Sequence, residues 1–203
     1  MTLVAASLWS VPAADRPRTA DRLTVAGLRR WHWDVSDGRF AAPGGFDPAE
    51  AALLGERTGL PGEAHLMVAD PLSRVDAWAA VCDRVIVHIE AEGWRAALRR
   101  VADLGARPGL ALSPGSPAVL PDGLPPGTAV LVMAIEPGRA GAAFRPSTLT
   151  RLDALHGAAE LGVDGGVTPD LAHRCAAHGA TWVVSGGSLC HAPDAREWLD
   201  SVR

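Results

Sequence analysis

Short runs rich in valine, isoleucine, leucine and tryptophan return eight times along the chain, each followed by a turn and then by a longer segment. The runs lie near residues 3–8, 30–35, 63–68, 84–89, 108–112, 129–134, 160–163 and 181–185. Apolar runs this short, bounded by turn residues, read as buried strands, and the longer segments between them read as helices. Alternation of the two element types predicts parallel strands joined by crossovers. Eight such units in 203 residues fit the compact end of the (β/α)8 barrel, whose members run from about 200 to over 400 residues. A doubly wound open sheet is the rival, but Ser7-Leu8-Trp9-Ser10 stands where that fold places its glycine-rich turn. The expectation is an α/β chain forming a single (β/α)8 barrel, one domain over residues 1–203 with no linker.

Local signals agree with this layout. Asp47-Pro48, Asp70-Pro71 and Thr168-Pro169 each pair an N-cap side chain with proline at the first helical position. Trp94, Ala97, Leu98, Val101 and Leu104 fall on one helical face, with Arg95, Arg99 and Arg100 opposite. The 22 glycines and 16 prolines supply the frequent turns.

Composition removes several functions. A net charge of −4 argues against nucleic acid as a partner, because phosphate binding needs a strongly basic surface. All 19 basic residues are arginine, so lysine Schiff bases and a lysine general base are excluded. Cys82, Cys175 and Cys190 are odd in number and widely spaced, which fits buried thiols rather than disulfides or a zinc knuckle. The start, Met1 to Ala14, has no basic residue ahead of its apolar part and reads as a first strand, not a signal peptide. No apolar run approaches the ~18 residues needed to cross a bilayer, so no membrane association and a cytoplasmic location are expected.

In a barrel, side chains at the carboxyl ends of the strands converge on one face. The second strand ends Trp31-His32-Trp33-Asp34, and its period of two turns His32 and Asp34 inward and the tryptophans toward helices. The third strand adds His65 and the seventh adds Asp164. Two imidazoles and two carboxylates in one pocket suit one divalent cation: zinc, iron, manganese or cobalt. Taken singly, each residue reads more simply as a hydrogen-bonded core group or a turn former. Together, two carboxylates at the strand ends without a cation would repel and be costly to desolvate. His88 could support the site from behind, and Met67 and Met133 are expected to line the pocket.

Three glycine-bearing segments follow the last strands: Glu136-Pro137-Gly138-Arg139-Ala140-Gly141, Asp164-Gly165-Gly166 and Ser185-Gly186-Gly187-Ser188. Loops after the seventh and eighth strands of barrels commonly hold phosphate through backbone N–H groups. Beside a candidate metal site, they point to a phosphorylated ligand.

These residues resemble the ribulose-phosphate 3-epimerase family over essentially the whole chain. Carrying the resemblance are Ala6-Ser7-Leu8-Trp9-Ser10, His32-Trp33-Asp34-Val35-Ser36-Asp37-Gly38 and His65-Leu66-Met67. His88-Ile89-Glu90-Ala91, Met133 followed by Glu136-Pro137-Gly138, Val163-Asp164-Gly165-Gly166 and Val184-Ser185-Gly186 match in turn. The resemblance implies epimerisation at C3 of D-ribulose 5-phosphate to D-xylulose 5-phosphate, through a metal-stabilised enediolate. It implies that His32, Asp34, His65 and Asp164 bind the metal, with Asp34 and Asp164 also the acid/base pair. Ser7 and His65 would contact substrate, and the segments around Gly138, Arg139, Ala140 and Gly141, around Gly165 and Gly166, and around Gly186 and Gly187 would hold its phosphate.

Three departures from the family pattern bear on substrate. Ser36 replaces a methionine, Gly138-Arg139-Ala140-Gly141-Ala142 replaces Gly-Phe-Gly-Gly-Gln, and the loop over residues 39–46 lacks a histidine and an asparagine. Alternatives are a 3-epimerase of a related ketose phosphate and a non-catalytic sugar-phosphate-binding protein. A lysine-dependent decarboxylase or aldolase is disfavoured. Oligomeric state is left open, a homo-oligomer being compatible with the sequence.

Overall fold

The computed structural model describes residues 2–202; Met1 and Arg203, the limits of the expected domain, lie outside the described residues. Eight strands form the barrel: β1 (Leu3–Ser7), β2 (Arg30–Ser36), β3 (Gly62–Met67), β4 (Arg84–His88), β5 (Arg107–Leu112), β6 (Ala129–Met133), β7 (Leu161–Asp164) and β8 (Trp182–Ser185). Neighbours in sequence pair in parallel, and β1 pairs with both β2 and β8, which closes the sheet. Each strand lies within one residue of its expected position. Gly44–Gly45 adds a short antiparallel pairing to the end of β2.

The helices are α1 (Arg16–Val25), α2 (Pro48–Thr58), α3 (Leu72–Ala79), α4 (Trp94–Asp103), α5 (Ser147–Ala154), α6 (Pro169–Ala177), α7 (Gly187–Cys190) and α8 (Ala195–Ser201). Their distribution corrects the expectation of one helix per strand. The crossover from β5 to β6, residues 113–128, carries no helix, while two helices follow β8. Pro114, Pro117, Pro121, Pro125 and Pro126 explain the gap, since each removes a backbone donor and clashes with a preceding turn. Asp47 and Thr168 cap α2 and α6 as expected, accepting from the N–H groups of Glu50 and Leu171 at 2.8 and 3.4 Å. α3 starts one residue later than Asp70-Pro71 implied, at Leu72, although Asp70 still accepts from Ser73 N–H at 3.4 Å.

Alternation along the strands splits the apolar residues into two bodies. Trp31 and Trp33 face outward into the core shared by strands and helices. Ala5, Ile86, Leu131, Met133, Trp182 and Val184 fill the barrel interior. Trp182 fits there because Gly162 faces it: a Cβ on that glycine would sit 2.3 Å from the indole. Ala97, Leu98 and Val101 of α4 are fully buried as predicted, but Leu104, the residue at its C-cap, is 39% exposed. All three cysteines are free and buried. No helix among the described residues is long and apolar enough to cross a membrane.

Candidate active site

The register of the sheet assembles the site. Ser7 lies opposite His32, Asp34 opposite His65, and Met133 opposite Asp164. His32, Asp34, His65 and Asp164 thereby each bring a ligand atom to one place, all within 4.8 Å of one another, and could hold a metal ion. Both histidines are fully buried, and the side chains of Asp34 and Asp164 are 9% and 15% exposed.

Hydrogen bonds behind the histidines decide which ring nitrogens face the cluster. Glu90 Oε2 lies 3.0 Å from His88 Nδ1, and His88 Nε2 lies 2.8 Å from His65 Nε2. An ionised carboxylate only accepts, so His88 donates to Glu90 through Nδ1, and His65 donates to His88 through Nε2. The lone pair of His65 is left on Nδ1, facing Asp34 Oδ1 at 3.0 Å and Asp164 Oδ2 at 3.7 Å. On the other side, His32 Nδ1 donates to Glu63 Oε1 at 2.8 Å. Its Nε2 is buried with no hydrogen-bond partner, 3.3 Å from Asp34 and 3.9 Å from Asp164. When neither nitrogen carries a proton, two lone pairs and two carboxylates point at one spot, an arrangement that repels itself until a cation enters, whether a metal ion or a proton on His32. The donor set fits zinc, iron, manganese or cobalt.

Charge separates the two aspartates. Burial opposes ionisation of Asp34, but His32 and His65 outweigh it and hold the carboxyl well below the usual range. Burial and the charge of Asp34 push Asp164 upward. Burial also depresses His65 and brings His88 down to about 4. His32 is raised: burial opposes its charge, but Asp34, Glu63 and Asp164 overcome that.

Above the cluster opens a cavity of about 510 Å³. Ser7, Asp34, Met67, Met133, Asp164 and the segments 138–142, 165–167 and 186–188 line it. His32 and His65 are fully buried and lie beneath this lining. Ser7 donates to Asp34 Oδ2 at 2.5 Å, orienting that carboxylate. Gly165 and Gly166 have positive φ, +111° and +66°, and a Cβ on Gly165 would meet Ile135 at 2.5 Å. Glycine is required there by the positive φ and by the close packing of Ile135 and of the backbone at Ala142 and Phe144. Gly187 and Ser188 open α7, where N–H groups have no carbonyl one turn earlier to bond. Arg139 lines the cavity exposed, and no acidic partner faces it among the described residues.

Several site residues escaped sequence reasoning. Glu63 lay two residues before His65 on the same face of β3, a signal that strand periodicity contained. Trp9, Ile135 and His191 also line the cavity, the last with Nδ1 on the carbonyl of Gly187 at 3.0 Å. Ser36 stays out of the lining and donates instead to the carbonyl of Ala41 at 2.9 Å, pinning the loop after β2. His156 and His173 are exposed, and His178 pairs with Asp153 at 2.8 Å; none reaches the cavity.

Comparison with known proteins places this constellation. The Ribulose-phosphate 3 epimerase family matches residues 3–190. The chain belongs to that family. As a member it is an enzyme of the isomerase class, an epimerase. The rice (Oryza sativa subsp. japonica) cytoplasmic isoform of ribulose-phosphate 3-epimerase is 30% identical over 98% of this chain and 92% of its own. The Chlamydia pneumoniae ribulose-phosphate 3-epimerase is 33% identical over 85% of this chain and 81% of its own. Among solved structures, 3-hexulose-6-phosphate synthase from Salmonella typhimurium superposes with a TM-score of 0.75 at 12% identity, covering 99% of this chain and 96% of its own. That likeness is one of fold alone.

Proposed function

We propose that the chain is a metal-dependent epimerase that interconverts D-ribulose 5-phosphate and D-xylulose 5-phosphate by moving a proton at C3. The observation that carries the reading is the floor of the cavity: two histidine lone pairs and two carboxylates converging within 4.8 Å, beneath a rim of glycine-rich backbone. His32 Nε2, His65 Nδ1, Asp34 and Asp164 would hold one divalent cation. That ion would act as a Lewis acid toward the substrate's oxygens, making the C3 proton easier to remove.

The residues of the chain do the rest. One aspartate takes the C3 proton, and the electron pair of that C–H bond moves into a C2–C3 double bond, leaving an enediolate. The second aspartate gives a proton to C3 from the opposite face, and the configuration inverts. The first aspartate ends protonated and the second ionised, and solvent restores them. Without a cation the two carboxyls differ, Asp34 being held low by its histidines and Asp164 pushed up by burial and by Asp34; two-carboxylate acid/base chemistry requires one of them to start ionised and the other protonated. Ser7 orients Asp34 for that exchange. Backbone N–H groups of 165–166 and 187–188 would receive the phosphate, with Arg139 adding a cation at the rim.

A second reading, a related ketose phosphate as substrate, is favoured by Arg139 together with Ala140 and Ala142 on the cavity wall. The test compares kcat/KM on ribulose 5-phosphate, other ketose phosphates and unphosphorylated ribulose, using protein loaded with each candidate metal. Ribulose 5-phosphate should lead and the unphosphorylated sugar should trail by orders of magnitude. A different ketose phosphate in first place would establish the second reading.

A further inference from the structure

Beneath the cluster, charged side chains of alternating sign run from His32 to the far end of the barrel. Glu63 Oε1 accepts from His32 Nδ1 at 2.8 Å, and Glu63 Oε2 accepts from Arg84 Nη1 at 3.2 Å. Arg84 continues to Glu160, and Glu160 to Arg107. Glu63 is fully buried and Arg84 is 2% exposed, whereas Glu160 and Arg107 reach solvent. Trp182 stacks under the Arg84 guanidinium, 4.6 Å from ring centroid to Cζ. The register explains the path: His32 faces Glu63, Glu63 faces Arg84, and Arg84 faces Arg107 on successive strands. Because barrel strands tilt, following the register from strand to strand travels along the barrel axis.

We propose that Glu63 is a positioning residue whose polarity Arg84 fixes, so that His32 keeps its proton on Nδ1 and its Nε2 lone pair on the four-residue cluster. The inference rests on the reading of that cluster as a cation site. Arginine in a protein is always a donor, so one carboxylate oxygen is committed to it. The other oxygen can only accept, which demands a proton on His32 Nδ1. The two neighbouring groups together leave the ring one useful orientation of its lone pair. A buried arginine is otherwise hard to justify in this position, since burying an ion pair gains little stability over apolar packing.

Glutamine at position 63 makes the proposal testable. An amide has one accepting and one donating end, and Arg84 would claim the oxygen. The NH2 would then face His32 Nδ1, favouring a proton on Nε2, where the cation should bind. Zinc affinity by chelator competition should therefore fall about 10- to 100-fold in Glu63→Gln. Adding Arg84→Met frees the amide to turn its oxygen toward His32, so the double variant should recover most of that affinity although it lacks more buried hydrogen bonds. A merely structural role would not be rescued this way. Nitrogen-15 NMR of the zinc-loaded protein should show the His32 proton on Nδ1 in the wild type and the double variant. Zinc affinity of Glu63→Gln within twofold of wild type would overturn the proposal, as would a double variant no better than the single. If the single variant does not fold, the double one decides: affinity within a few-fold of wild type supports the proposal, and a loss beyond tenfold overturns it. A wild type that binds no zinc removes the cation site itself, and the proposal with it.

Discussion

The two ends of the barrel treat charge in opposite ways. At the amino ends of the strands the charged side chains near the axis are in ion pairs: Arg30 holds Asp83 through two hydrogen bonds of 2.6 and 2.8 Å, and Glu63, Arg84, Glu160 and Arg107 form a chain of opposite charges in which only Arg84 Nε, among the described residues, is left without a partner. At the carboxyl ends, His32 Nε2 has no partner, two carboxylates face each other, and Arg139 stands without an acid. Paired charges hold a structure; unpaired ones wait for a ligand. The contrast agrees with the proposed division, chemistry at one end and stability at the other, and it can be broken at either.

The largest effect is expected at the carboxyl end. Asp164→Asn should lower kcat by at least about 10³-fold, since it removes one of two proton carriers, while the melting temperature of the metal-free protein holds or rises. Steady-state assays beside calorimetry check both halves. At the opposite end the pattern should reverse. Arg30→Ala should cost on the order of 2 kcal/mol in urea unfolding, below the ~3–5 kcal/mol of a fully buried pair because Asp83 is 41% exposed. Its kcat should stay within about twofold of wild type.

Glu90 sharpens the comparison because it links the site to the fold. Burial raises its carboxyl, but hydrogen bonds from His88 and Ser116 prevail and bring it down to about 2 from 4.5. A group lowered in the folded state adds stability above pH 4.5 and loses it as pH falls toward 2. Glu90→Gln should therefore flatten the pH dependence of unfolding between those values, an effect on the order of 2 kcal/mol, read by denaturation at successive pH values. The smallest change concerns the rim. Arg139→Ala should raise KM for the phosphorylated substrate about fivefold, near 1 kcal/mol for an exposed charge-assisted contact, and reduce the salt dependence of KM while leaving kcat alone.

Much of this was legible in the residues. The strands were, because buried parallel strands leave unbroken apolar runs, as in residues 85–87 and 129–133. The four cluster residues were too, because strand periodicity and strand ends together fix where His32, Asp34, His65 and Asp164 point. The missing fifth helix was written in the prolines of residues 113–128, but the regular alternation elsewhere outweighed them. The inward position of Glu63 was legible from strand periodicity, but its role was not: that depends on Arg84 one strand away, and pairing register cannot be read from one strand. Ring-nitrogen assignments likewise needed the partners of His65 and His32, which lie on β4 and β3.

The central claim, that Asp34 and Asp164 exchange a proton at C3, meets its most direct test in proton NMR of ribulose 5-phosphate in D2O with metal-loaded protein. The account predicts that the C3 proton signal disappears as xylulose 5-phosphate grows in, with deuterium at C3 of the product. A folded, metal-loaded sample that binds the sugar phosphate yet leaves the C3 proton in place would contradict it.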